Sequence, residues 1–347
     1  MKKIAIYALT PQGAVLGRRM ADQLDADLFL PARLAESHGA ISFDRLLEVV
    51  AKSFFLYPRH VFIAAAGIVV RAIAPHLKSK DRDPAVIVLD QKVEYVISLL
   101  SGHLGGANEL TRKVAQLTGG KAVITTATDT ARVPAIDVLA MERNLVIANL
   151  KAVKSVNMAI LRGDPVQVFD TEDRLCLKNQ EQAGFTIEEI ENKGQWVTER
   201  AGVWVTWKIK KPDPGMRQLV LHPKCLIAGM GCNRGTDSHE ILDLITSTFR
   251  INDLAVKSLK CLATIEAKRD ETGLAEAASK LGVPLTFSSP LEIKSIEVPN
   301  PSKMVKKHMG VSSVCEATAI LKSGGGNLLV AKTKSRNATL AVALESS

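Results

Sequence analysis

The feature that most restricts the fold of this chain is a regular alternation, over its first 130 or so residues, of short apolar runs with longer stretches patterned at helical period. KIAIYAL, DLFL, VFIAAA, AVIVL, YVISLL and KAVITT read as strands. The amphipathic stretches Ala14 to Leu24, FDRLLEVVAKSFF, IVVRAIAPHL and Gly105 to Leu117 read as helices. Strands alternating with helices predict a mostly parallel sheet covered on both faces. AVIVL and YVISLL are separated only by a tract around Gln91-Lys92, too short for a crossover, so one hairpin is predicted inside that sheet.

From Ala140 the pattern loosens into charged, strand-poor sequence with scattered glycines, and at Lys224 the alternation restarts with KCLIAGMG and a helix from Ser238 to Phe249. The expected class is α/β: two open, mostly parallel three-layer units with a smaller mixed middle segment. The expected domains are 1–140, 141–223 and 224–347.

Composition narrows the function classes. The longest apolar stretches fall far short of the ~20 residues needed to cross a bilayer, so no membrane association is expected. Five cysteines without a CxxC pair argue against a disulfide framework and against a structural metal, and point to a reducing, cytoplasmic setting. The formal charge is +9, but three Trp, three Tyr and nine Phe leave little material for stacking bases. A polyanionic small molecule suits this balance better than a nucleic acid.

Three runs concentrate the residues that could carry chemistry. In AAAGIVVRAIAPHLKSKDRD, Gly67 follows a strand and opens a helix, Arg71 lies one turn on, and Lys80 follows; such cations suit carboxylates, although a local salt bridge is the plainer reading of Arg71. In ISLLSGHLGGANEL, the small residues Ser101, Gly102, Gly105 and Gly106 would let a ligand approach the backbone. His103 there is the best candidate for proton transfer, against the alternative of a capping or core histidine. SGHLGG does not match the GxSxG elbow of serine hydrolases. In ITTATDT, Thr125, Thr126 and Asp129 could bind a polar ligand or cap the next helix. All three runs follow strands, which leads to the expectation of one crevice at the strands' carboxyl ends.

In the last unit, Gly229-Met230-Gly231-Cys232-Asn233-Arg234-Gly235 looks like a dinucleotide loop. Its third glycine is one residue late and no acidic residue stands about twenty residues on, which disfavours a nicotinamide cofactor. Thr236 or Asp237 can cap the following helix. The loop would still present amides to an anionic group, and Lys268, Asp270 and Glu271 with Ser313, Cys315 and Glu316 are expected on the same rim as Gly231, Arg234 and Gly235. There Gly231, Arg234, Gly235, Lys268, Ser313 and Glu316 would contact substrate.

Taken together, GIVVRAIAPHLKSKDRDPAVIVLD, VISLLSGHLGGANEL and VITTATDT resemble the signature blocks of cobalt-precorrin-5A hydrolases. The GCNRGT loop, ATIEAKRDE, PSKMVKKHMGVSSVCEATAI and the closing TLAVA strand resemble the same family, so the likeness covers about 1–140 and 224–345. It implies an enzyme of anaerobic cobalamin biosynthesis that opens the ring-A acetate lactone and releases acetaldehyde. The cobalt would be carried by the substrate, with no separate cofactor and no protein-bound metal. The implied partner is an anionic cobalt corrinoid, with transient contact to neighbouring methyltransferases and a homodimer left open. Within that chemistry His103 is assigned as general base, Arg71 and Lys80 as carboxylate or oxyanion partners, and Asn108 with the Gly105-Gly106 amides as donors. Glu109 and Asp129 would orient the base, and Gly67, Ser101, Gly102, Thr125 and Thr126 would contact substrate. The competing reading is a non-catalytic corrinoid carrier of the same pathway.

Overall fold

The computed structural model describes residues 3–80, 82–131, 133, 135–177, 187–190, 193–211, 217–294, 296–299 and 313–346. The chain divides into two compact units, Met1–Val138 and Leu139–Ser347.

The first unit is built on seven strands: β1 (Ile4–Ala8), β2 (Asp27–Pro31), β3 (Ile41–Phe43), β4 (Arg59–Ile63), β5 (Ala85–Leu89), β6 (Tyr95–Leu100) and β7 (Lys121–Val123), in the order β3-β2-β1-β4-β5-β6-β7. Their alternating side chains feed two separate layers. Ile4, Ile6 and Ala8 pack with Ala14 and Met20 of the Pro11–Leu24 helix and with Leu110 and Val114 of the Ala107–Thr118 helix. Ala5 and Tyr7 face the other way, onto Val50, Phe54, Val69 and Ile73. A strand buried on both faces needs continuous apolar sequence, and IAIYA and AVIVL supply it.

The hairpin expected around Gln91-Lys92 is present: β5 and β6 pair antiparallel, with Leu89 opposite Val96 and Val86 opposite Leu100. β7 then pairs parallel with β6. These two strands therefore run against the other five. That reversal decides where the functional residues go.

The second unit carries two five-stranded sheets. β8 (Leu145–Ile147), β9 (Val166–Phe169), β10 (Ile187–Glu189), β11 (Gly202–Val205) and β12 (Gln218–Pro223) form one, ordered β10-β9-β11-β12-β8 with β8 antiparallel. A strand-poor middle segment was the expectation; these strands, most of three or four residues, are too short to show a period of two against charged flanks. β13 (Leu226–Cys232), β14 (Leu259–Ile265), β15 (Leu285–Ser288), β16 (Leu328–Lys334) and β17 (Ala338–Leu344) form the other, ordered β15-β14-β13-β17-β16. Its first three strands are parallel and the closing pair is an antiparallel hairpin. The Val314–Lys322 helix lies so close to β13 that a Cβ on Gly229 would come 1.9 Å from the Cys315 carbonyl oxygen. No helix among the described residues is long and apolar enough to cross a membrane.

Candidate active site

Because β6 is antiparallel to β5, the loop after β6 returns to the edge at which β4 and β5 begin. Ser101, in the left-handed region at φ 56°, donates its hydroxyl to the Asp83 carbonyl at 2.9 Å, just before β5. Its own carbonyl accepts from the Ala107 amide at 3.1 Å and that of Gly102 accepts from Asn108 at 3.0 Å, so the loop wraps the start of the Ala107–Thr118 helix. Two glycines make this wrap sterically possible. A Cβ on Gly105 would meet the Ser101 carbonyl oxygen at 2.8 Å and the Ala85 nitrogen at 3.3 Å, and one on Gly102 would meet Asn108 Oδ1 at 2.7 Å.

The loop delivers His103 into a cluster of carboxylates. Its Nδ1 lies 3.2 Å from Asp137 Oδ2; its Nε2 lies 3.3 Å from Asp129 Oδ2 and 3.1 Å from the Thr128 hydroxyl. The His103 side chain is 15% exposed and that of Asp137 only 6%. The hydrogen bond to Asp137 raises the imidazole pKa above its ordinary 6.5; burial opposes this and Asp129 adds to the rise. Asp129 is itself held from two sides: Asn108 donates Nδ2–H to its Oδ2 at 2.8 Å, and Arg112 forms an ion pair with its Oδ1. Asn108 also donates to the Thr126 hydroxyl at 3.0 Å and accepts from Ser98 at 2.7 Å, leaving a buried amide fully engaged.

His103, Asn108, Thr126 and Asp129 are thus brought together as the sequence blocks suggested. The remaining candidates of this unit are placed otherwise. Glu109 faces Arg59 at 3.8 Å and does not reach His103. The Gly106 amide is given to the His103 carbonyl at 2.8 Å, and with both Asn108 hydrogens occupied neither is a free oxyanion donor. Thr125 is exposed, as is Lys80 in the loop entering β5. Gly67 and Arg71 lie in the Ala66–Ile73 helix, which starts at the carboxyl end of β4, the opposite edge from His103. The single crevice expected for all three runs is therefore corrected to two edges: the β5–β6 reversal carries the second and third runs to the edge where β5 begins, which the Lys80 loop shares, whereas Gly67 and Arg71 lie at the opposite one. Arg71 Nη1 sits 3.5 Å from the Gly67 carbonyl.

Four participants escaped the sequence reading: Asp137, Thr128, Arg112 and Ser98. Two had readable signals. Asp137 is a carboxylate inside the apolar run AIDVLAM, a setting in which a charge demands a partner. Arg112 stands four residues after Asn108, on the same helix face.

In the second unit the glycine loop is closed by the protein's own carboxylate. Glu271 accepts from the Gly235 amide at 2.9 Å and from Lys268 Nζ at 3.1 Å. Asp237 caps the Ser238–Ile251 helix through the His239 amide. Arg234 is exposed, Gly231 lies in β13 against Thr339, and Ser313 and Glu316 are fully buried, with Glu316 accepting from the Lys332 amide at 3.0 Å. Of the expected rim, Lys268 and Glu271 thus come to the Gly235 loop, whereas Ser313 and Glu316 are enclosed in the fold.

An α/β sheet whose reversed edge holds a histidine between two carboxylates is an arrangement that can hold and pass a proton. The chain belongs to the cobalamin synthesis G family: its N-terminal model matches residues 48–129, the cobalamin biosynthesis central region 134–223, and its C-terminus 226–343. The chain is 34% identical to a cobalt-precorrin-5A hydrolase of Priestia megaterium, over 98% of this chain and 94% of that protein. It is also 34% identical to a cobalt-precorrin-5A hydrolase of Salmonella typhimurium, over 93% of each. A solved structure of a putative cobalamin biosynthesis protein G homolog from Sulfolobus solfataricus aligns with 99% of this chain and 97% of its own at 20% identity, with a TM-score of 0.37.

Proposed function

We propose that this chain hydrolyses cobalt-precorrin-5A, opening the lactone between the ring-A acetate and the C20 carbon and releasing the C20 fragment as acetaldehyde. The observation that carries the chemistry is His103 held between Asp137 and Asp129.

Asp137 fixes one ring nitrogen as a donor, so the other faces Thr128 and Asp129 as the proton acceptor. A raised pKa makes that nitrogen a stronger base than free imidazole, and Asp129 stabilises the imidazolium formed when it takes a proton from water. The hydroxide so generated adds to the lactone carbonyl, and collapse of the adduct breaks the acyl–oxygen bond to give the ring-A carboxylate and a free alcohol. Loss of the alcohol proton then lets the carbon–carbon bond to the macrocycle break, its electron pair passing to the ring while acetaldehyde departs. One water is consumed overall. The cobalt is part of the substrate and the reaction calls on no other cofactor. The enzyme works in the cytoplasm, in transient contact with neighbouring methyltransferases of the pathway; a homodimer is tested by its mass in solution.

The test is anaerobic incubation of the purified protein with cobalt-precorrin-5A, trapping volatile aldehyde and weighing the corrinoid. Stoichiometric acetaldehyde with loss of the two-carbon fragment is expected from the wild type and none from His103→Ala. A corrinoid bound but unchanged would replace the hydrolase reading with that of a carrier.

A further inference from the structure

The second unit contains a cleft to which no role has been given. Its volume is about 780 Å³, within the ~300–1,000 Å³ range of small-molecule sites. One wall is the Lys151–Arg162 helix, along which Lys154, Met158 and Arg162 are exposed at a spacing of four, on a single stripe. The other wall is the chain entering β11 and β12, which contributes Arg200 and Arg217. Among the described residues the rim thus carries four cations against the two carboxylates Asp164 and Glu199. Between them lies an apolar floor that includes Met158, which is 39% exposed.

The cations are unequally committed. Arg200 pairs with Glu188 at 3.1 Å, and Arg217 donates to the Glu199 backbone carbonyl at 2.6 Å. Among the described residues Lys154 and Arg162 have no ion pair; Arg162 also complements the carboxyl end of its helix. An excess of positive charge around an apolar strip fits a ligand that is itself apolar in the middle and anionic at its margin. A nucleic acid fits less well, because among the described residues the cleft lining holds no aromatic ring for a base.

We propose that this cleft binds the carboxylate-fringed macrocycle of a corrinoid, with Lys154 and Arg162 engaging its acidic side chains and Met158 its apolar face. The ligand class rests on the proposed function; the site is separate from the His103 cluster.

The experiment uses the full chain and two probes, cobyrinic acid with its free carboxylates and the corresponding heptamethyl ester, followed by amide hydrogen exchange. Cobyrinic acid should protect peptides spanning 151–165 and 199–205, and the ester should not. Lys154→Gln/Arg162→Gln exchanges two exposed side chains, so the variant should fold, with a melting temperature lowered only by the small contribution that Arg162 makes at the carboxyl end of its helix. Its affinity for cobyrinic acid should fall roughly 5- to 30-fold, as expected for two lost surface charge contacts. Protection confined to other peptides, equal protection by the ester, or an unaltered affinity in the double variant would overturn the proposal. Turnover of cobalt-precorrin-5A, measured on the same wild-type sample, reports on the hydrolase reading independently: protection without turnover removes that reading and leaves the cleft, and turnover without protection does the reverse.

Discussion

Asp137→Asn isolates the contribution of the buried carboxylate, because the amide keeps the volume and removes the charge. The 3.2 Å contact to His103 Nδ1 lies between side chains 6% and 15% exposed, so it is little screened by solvent. A hydrogen bond to a charged group in such a setting contributes about 1.5–3 kcal/mol, and it is fully expressed only when the imidazole carries the extra proton taken from water. At ~1.36 kcal/mol per factor of ten, kcat should fall about 10- to 150-fold. The pH profile separates this from simple damage. His103 must be neutral to act as base, and its pKa lies above the ordinary 6.5 chiefly through Asp137, so the wild-type rate should decline on the acid side with a midpoint above that value. In the variant the midpoint should move to lower pH while the maximum drops. Stability follows the same linkage. A raised folded-state pKa contributes stability that is fully present below the unfolded value and lost as pH rises through the folded one. The melting-temperature deficit of the variant should therefore be largest in acid and shrink towards alkali. Acetaldehyde release followed with a coupled dehydrogenase gives the rates, and calorimetry gives the stabilities. An unchanged kcat with an unmoved acid limb in a folded variant would refute the assignment of Asp137 as the residue that positions His103.

Two further changes test the supports of the sites. Gly105→Ala places a Cβ 2.8 Å from the Ser101 carbonyl oxygen, and since backbone must yield, a loss of about 1–3 kcal/mol in thermal stability is expected, with kcat falling as His103 is displaced. Glu271→Gln weakens the closure of the glycine loop. The Glu271 pKa is lowered even though burial pushes it up, because the Gly235 amide and Lys268 outweigh burial; its stabilisation is present above the unfolded value and lost as pH falls. Calorimetry should show about 1–3 kcal/mol lost near neutral pH, a gap that closes in acid, with kcat unaffected.

Much of this was legible in the chain because local sequence and tertiary demand agree. AVIVL and YVISLL, joined by a tract too short for a crossover, could only pair antiparallel. A cap at Thr236 or Asp237 was readable from two short acceptors before an amphipathic run, and Asp237 takes it. The three short strands β8 to β10 were not legible, since three or four residues carry no period. Glu271 was expected beside the glycine loop; what could not be read was that it accepts from the Gly235 amide, because nothing local pairs residues 36 apart. His103, Asn108 and Asp129 stood out because each sits where a strand gives way to a helix. Asp137 did not, because its helix reaches the site from beyond the block that ends at Thr130.

The placement of Arg71 follows from combining two of those readings. If β6 reverses against β5, the loops after β6 and β7 must emerge at the edge where β4 begins, whereas the helix bearing Arg71 starts where β4 ends. The five residues of β4 span ~16 Å, and Arg71 is only five residues past the start of that helix. Its guanidinium, exposed and 3.5 Å from the Gly67 carbonyl, belongs to no hydrogen bond around His103. Arg71→Gln should therefore leave kcat and the acid limb of the pH profile unchanged, and any effect should appear in KM, through a carboxylate of the substrate that reaches this edge. A large fall in kcat at unchanged KM would show instead that the guanidinium meets the reacting atoms, and the reaction centre would then have to be moved from the His103 edge towards the carboxyl ends of β1 and β4.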